Sequence, residues 1–190
     1  MTPEVKQEKQ ARLNAALTKL NELYQAEPNA DPGAHLKAAA MHLTTTFGIA
    51  RPLSDRYVAQ AAEVRSKPDP IFEEANFQRI TDLDDRHGAA LMVVAHHMEQ
   101  ILKGGKHMSR RFRKWGDEGD TFRVKGKAFR FTKVVQMRVG DITDDDIHKE
   151  GYTNREEFEQ MWVKSHPKAV AAGKALEPDG LCWSHEYEPV

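Results

Sequence analysis

One cysteine, Cys182, in 190 residues excludes an intramolecular disulfide and offers no Cys-based zinc site. Its surroundings make it a small buried residue on a strand. Nothing in the chain approaches the ~18 consecutive apolar residues of a membrane span. The first residues, Met1 to Lys6, open a polar helix rather than a signal sequence. A cytoplasmic protein with no membrane contact is expected. Net charge is scarce too, and the formal value of -1 predicts no polyanion partner for the chain as a whole. No metal site is expected, because His96 and His97 are neighbours and on a helix point about 100° apart. Both are expected at the core edge or the surface, and no cofactor is implied.

What the chain has is charge with direction. From Lys103 to Arg138 there are 12 Lys and Arg against 3 Asp and Glu, and from Val139 to Val190 there are 5 against 12. Only the first block could attract phosphate. Before it, residues 1–86 carry 11 basic and 13 acidic side chains and read as helices. Leu13, Leu17, Leu20 and Tyr24 form one stripe from Pro3 to about Gln25, with polar residues elsewhere. A second helix runs from Ala34 to Phe47, with Leu36, Ala40, Leu43 and Phe47 on one face and Gly48 as its stop. Ser54 caps a third, to about Ser66, with Leu53 and Val58 at the positions of a hydrophobic staple. Asp69-Pro70 opens a fourth, to about Ile80. The second and third have the size and connection of a helix-turn-helix. On that reading Ser54, Asp55, Arg56, Gln60 and Arg65 would lie on or near a DNA-recognition helix. The other reading is a module that packs on the rest of the chain or pairs chains into a homo-oligomer. Residues 81–88 are the expected boundary, giving domains 1–86 and 87–190.

Beyond the boundary the period changes. Ala89 to Ala95 is an apolar run of strand length, and helix follows to Lys103. Gly104-Gly105-Lys106-His107-Met108-Ser109-Arg110-Arg111 then turns the chain and sets a lysine, a hydroxyl and two arginines within six residues. Gly119-Asp120 leads into a strand at Thr121 to Lys125. A turn at Gly126-Lys127 leads to a long returning strand, with Phe129, Phe131, Val135, Met137 and Val139 inward and Arg130, Thr132, Gln136 and Arg138 outward. A short helix capped near Thr143 runs through His148. Asn154 caps another with Phe158, Met161 and Trp162 buried, and Leu181 to Glu188 is the last strand. The order makes an α+β domain of mostly antiparallel pairing, compatible with a small barrel.

Three separate motifs occur in order: Gly-x-Lys-x-x-Ser-x-Arg ending at Arg111, the Gly119-Asp120 turn, and Glu150-Gly151-Tyr152. In this residues 89–190 resemble the ASCH family of the PUA-like superfamily, down to the closing strand with Glu186-Tyr187. The resemblance implies a small PUA-like β-barrel with flanking helices, preceded by a helical module outside the family domain. It implies RNA or a modified nucleoside as the partner. One branch of the family hydrolyses the acetamide of N4-acetylcytidine with a Lys, a Thr and a Glu, and another is reported to cleave RNA. Carried over, Lys106, Ser109 and Glu150 take the three catalytic positions if the chain is an enzyme, with Arg111 as the accompanying arginine. A serine hydroxyl needs a base, and a lysine serves only where desolvation or cations such as Arg110, Arg111 and Arg113 depress its pKa. Glu150 as an acid could protonate the leaving nitrogen. Ser109 stands where the family has threonine and lacks the methyl that restrains its rotamer. His107 reads as a second base or a plain loop residue. For binding alone, Lys106, Arg110, Arg111 and Arg113 would hold phosphates, and Trp115 or Phe112 would stack on a base. Trp115 reads equally as a lid, and Glu150 as a helix-end carboxylate paired with Lys106 or an arginine.

Overall fold

The computed structural model describes residues 2–65, 91 and 95–190. The fourth helix expected at 69–80 and the boundary at 81–88 lie outside them. Among the described residues no helix is long and apolar enough to cross a membrane. They sort into two compact units. One comprises residues 2–65 with Lys114–Asp120, and the other the described residues of 91–113 with Thr121–Val190.

The helical unit holds α1 (Pro3–Ala26), α2 (Pro32–Phe47) and α3 (Arg51–Arg65). Local signals set most of their ends. Thr2 caps α1 and Asp31 caps α2, each with a proline in the first turn, and Gly48 closes α2 at φ 63°, where only glycine is unstrained. Two expectations need correcting. Ser54 is not a cap but lies inside α3, because Pro52 suits a first turn three residues earlier; its Oγ sits 2.8 Å from Thr44 Oγ1 and donates to Ala50 O. On α2 the buried face is His35, Ala39, Ala40, Leu43 and Thr44, so Leu36 is turned out to solvent. Ser54 and Gln60 of the supposed recognition helix are buried.

A larger surprise lies on α1, where Lys9 and Arg12 are buried beside Leu13, Ala16 and Leu20. Lys9 Nζ lies 3.1 Å from Asp117 and 2.9 Å from Asp120, and Arg12 Nη1 donates to Asp117 at 2.7 Å and to Tyr57 Oη at 3.2 Å. Lys114 Nζ closes the cluster on Asp117 Oδ1 at 2.7 Å and on Glu8 at 3.0 Å. The segment Lys114–Asp120 is thereby tied to α1 by charge, and to the α2–α3 turn by Ala50 N–H on Lys114 O at 2.7 Å.

The second unit is α+β. Its helix α4 (Ala95–Leu102) precedes strands β1 (Met108–Arg111), β2 (Thr121–Val124) and β3 (Lys127–Arg138). Helices α5 (Asp144–Lys149), α6 (Arg155–Ser165) and α7 (Pro167–Ala171) follow, and β4 (Leu181–Pro189) ends the chain. The strands form an antiparallel sheet in the order β1-β4-β3-β2, curled into a half-barrel. Phe122, Phe129, Phe131 and Tyr187 stack and edge together on one face, with ring centroids 4.7 to 6.5 Å apart. A second cluster joins Ile147, Tyr152, Phe158 and Trp162 to Cys182, which is buried on β4 as expected.

Two sequence readings fail here for physical reasons. Leu91 and Ala95 have helical backbone, so the strand read over 89–95 is absent at its two described positions; a short apolar run does not distinguish a strand from a buried helix. In β3 a bulge between Phe131 and Lys133 shifts the register. Phe131 pairs with Tyr187, but Val135 and Met137 pair with Ser184 and Cys182. They therefore lie on the opposite face from Phe129 and Phe131, and Val135 is 37% exposed.

Candidate functional site

Gly104, at φ 77°, takes the chain out of α4, with Gly104 N–H on Ile101 O and Gly105 N–H on Gln100 O. The turn delivers Lys106 into the interior, 1% exposed. Its Nζ donates to the backbone oxygen of Glu150 at 2.7 Å and lies 3.8 Å from the Glu150 carboxylate and 5.8 Å from the centre of the Tyr152 ring. Burial pushes the Lys106 amine down to about 7; the nearby cations Arg111 and Arg110 act in the same direction, and the pull of Glu150 opposes them.

Strand β1 then sends successive side chains to opposite faces. Ser109 turns toward β4, where its Oγ is 3.2 Å from Tyr187 Oη, and its carbonyl is 3.2 Å from His185 Nδ1. Arg110 turns toward α5. This helix starts with a reciprocal capping box between Thr143 and Asp146 and ends at Glu150. Glu150 Oε1 accepts from the Arg110 backbone N–H at 3.0 Å and Oε2 from its guanidinium at 2.8 Å, while Asp146 Oδ1 is 3.4 Å from Arg110 Nη2. Arg110 is fully buried and Glu150 is 2% exposed. Glu150 is thus a helix-end carboxylate paired with an arginine, and both its oxygens are engaged as acceptors.

Glu150 is held in place through the residue that follows it. Gly151 has φ 92°, and a Cβ there would stand 2.7 Å from Gln100 Oε1. Gln100 Nε2 donates to Gly151 O at 2.8 Å. Gly151→Ala should therefore cost about 1–3 kcal/mol, from left-handed backbone strain plus displacement of Gln100. Chemical denaturation of the purified chain checks this, and a change below 0.5 kcal/mol would show that the turn relaxes freely.

Lys106, Arg110 and Glu150 are brought together by this framework, whereas the Ser109 hydroxyl meets Tyr187. Arg111 is half-buried beside them, with Nη1 on Arg110 O at 2.6 Å and Nη2 on Leu91 O. Arg113 is exposed, and Trp115 belongs to the segment of the helical unit. His107 has an exposed side chain and uses its backbone, accepting from Tyr187 N–H at 2.9 Å and donating to Lys149 O at 2.9 Å. Phe112 packs edge-on against Trp162 at 5.3 Å. Sequence reasoning gave no role to Gln100, Tyr152, His185 or Tyr187. The signal for the first was its place three residues after His97, whose Nε2 lies 3.0 Å from Tyr152 Oη. Both residues of α4 thus face the turn at Gly151-Tyr152. Tyr152 and Tyr187 lay inside the recognised motifs as unassigned aromatics.

No family model and no curated protein matches the chain. Two solved structures are similar to it. One is a protein from Enterococcus faecalis V583 assigned to family DUF984, at 16% identity and TM-score 0.42, over 50% of this chain and 67% of that one. The other is an ASCH domain from Lactobacillus crispatus JV V101, at 12% identity and TM-score 0.41, over 76% of this chain and 97% of that one.

Proposed function

We propose that this chain is an ASCH-type protein that binds RNA through a modified nucleoside, or that nucleoside when free, at a site built from Lys106, Ser109, Arg111 and Glu150. The observation that carries the reading is the burial of Lys106 against Glu150, 3.8 Å apart, with Ser109 also buried three positions along the motif that resembles the family. Buried donors and acceptors of fixed geometry suit one small polar ligand better than a surface-bound strand. Arg110 is spent on Glu150 and Asp146, so phosphate contacts fall to Arg111 and the exposed Arg113. Calorimetric titration with N4-acetylcytidine and with a short RNA, at low and high salt, tests this. Binding of the nucleoside that is insensitive to salt and lost in Lys106→Ala is expected; salt-sensitive binding of RNA alone would place recognition on the basic surface instead.

Lys106 favours a second reading, hydrolysis of an acylated cytidine. An amine of pKa about 7 is half neutral at pH 7 and can serve as a base. Ser109 Oγ would attack the acyl carbon while its proton passes to Lys106 Nζ. The same proton would then return from the lysine ammonium to the leaving N4 nitrogen, because both Glu150 oxygens already accept from Arg110. Water, giving a proton to the neutral Lys106, would next attack the acyl-serine and release the carboxylic acid with the Ser109 hydroxyl restored. Turnover should rise as pH climbs through about 7, where the ammonium loses its proton, and should level off above it. Chromatography of N4-acetylcytidine incubated with wild type and Lys106→Ala across pH 5.5 to 8.5, a range of about 1.5 units either side of that value, reads this directly. Intact substrate throughout would leave binding as the function.

A further inference from the structure

We infer that the cleft between the end of α4 and the β2–β3 hairpin is a further binding site, for a small amphipathic anion with a carboxylate on an apolar body. The cleft lies within the α+β unit and holds about 400 Å³, at the low end of the volumes that take small ligands. It is separate from the site proposed above, since none of Lys106, Ser109, Arg111 and Glu150 lines it.

Two rigid elements make its walls. On one side α4 ends in Ile101 and Leu102 and passes through Lys103 into the Gly104 turn. On the other, Lys127 and Phe129 follow the tight turn at Lys125-Gly126, both of positive φ, and Phe129 pairs with Pro189 of β4. The floor is apolar. Ile101 and Phe129 are each 3% exposed, Leu102 is half-buried and Pro189 is exposed.

The rim carries positive charge on both walls, and no acidic side chain lines the cleft. Lys103 approaches Glu99 only at 4.0 Å, with both side chains mostly exposed, and the exposed Lys127 makes no ion pair among the described residues. The C-terminal end of a helix by itself disfavours an anion. Here the backbone N–H groups of Lys103, Gly105 and Gly104 already bond the carbonyls of Glu99, Gln100 and Ile101, so the two ammoniums decide the sign. An apolar floor alone would accept any oily group. Lysines on opposite walls select one that ends in a carboxylate, its chain on the floor and its charge at the mouth.

The experiment titrates octanoate into the isotopically labelled full chain and follows the amide shifts by NMR, with hexanoate and octanol alongside. Octanoate should move Lys103, Gly104, Lys127 and Ala128 together. Hexanoate should bind more weakly, by up to about fourfold for each methylene lost, and octanol more weakly than octanoate for want of charge. Both lysines are exposed, so replacing them changes charge without disturbing the core. Lys127→Gln should weaken octanoate about threefold and Lys103→Gln/Lys127→Gln about tenfold, with octanol unaffected. Shifts that are absent or confined to other residues overturn the site. Octanol binding as tightly as octanoate, or a double variant that binds octanoate as wild type does, overturns its assignment to an anion.

Discussion

Arg110→Met should destabilise the second unit by about 3–5 kcal/mol, the usual cost of removing one partner from a buried ion pair. The guanidinium and backbone N–H of Arg110 together supply hydrogen bonds to both oxygens of Glu150, in surroundings where the arginine is fully buried and the carboxylate 2% exposed. Without the guanidinium, Glu150 keeps the backbone donor and a lysine 3.8 Å away. The loss should also be felt at Lys106. One of the cations that depress its pKa is gone, and Glu150 is left to favour the ammonium, so the amine should titrate above about 7. Denaturant unfolding measures the first effect, and the pH profile of ligand binding or turnover measures the second. The double variant Arg110→Met/Glu150→Gln should recover most of the stability, because no buried carboxylate is then left without its arginine and Lys106 can lose its proton. A single variant within 1 kcal/mol of wild type would mean that water reaches the pair.

The helical unit should respond as strongly to Lys9→Met, again by about 3–5 kcal/mol. Its ammonium sits between Asp117 and Asp120, at 3.1 and 2.9 Å, and is fully enclosed. Burial alone would lower the Lys9 pKa, but Asp120, Tyr57 and Asp117 outweigh it and raise it. Removing the lysine leaves two carboxylates joined by a short turn, in which Asp117 N–H donates to Asp120 Oδ2 at 2.8 Å, with Arg12 and Lys114 both directed at Asp117.

The deficit should depend on pH in a defined sense. Asp120 is raised to about 6, first by burial and then by the charge of Asp117, against the pull of Lys9. A carboxyl with a folded pKa above its unfolded value gains stability for the fold as pH falls from 7 toward 4, since the folded state takes the proton first. Asp117 behaves oppositely. The cations Lys9, Arg12 and Lys114 overcome its burial and hold it below the usual carboxylate range, so its contribution persists above its unfolded pKa and fades only in stronger acid. The cost of Lys9→Met is therefore expected to be greatest near pH 7.5 and smaller near pH 5, where Asp120 is neutral. Urea unfolding at the two values checks this, and a cost independent of pH would show that Asp120 does not titrate in that window.

Much of the frame was legible in the residues because its causes are local. Gly48, the Thr143 cap and the Asn154 cap each act within a few residues of themselves, and each stands where the sequence places it. The class of the fold, helices followed by an α+β part with antiparallel strands, followed from the change of period between them. The motif at Gly104 to Arg111 and the triplet Glu150-Gly151-Tyr152 named the residues that gather around Lys106.

Only the tertiary structure decided what those residues do to one another. Arg110 meets a carboxylate 40 positions away and Ser109 a phenol 78 positions away, and α1 buries two charges against aspartates more than 100 positions on. No pattern of spacing encodes such partners, since a charged side chain on a helix or strand reads as solvated until something folds over it. The bulge in β3 has the same character. One extra residue changes which face Val135 and Met137 occupy, and it follows from the pairing with β4 rather than from any feature of β3 itself. The depressed pKa of Lys106 is the clearest case, because desolvation is a property of the assembled interior and of nothing in the chain before it closes.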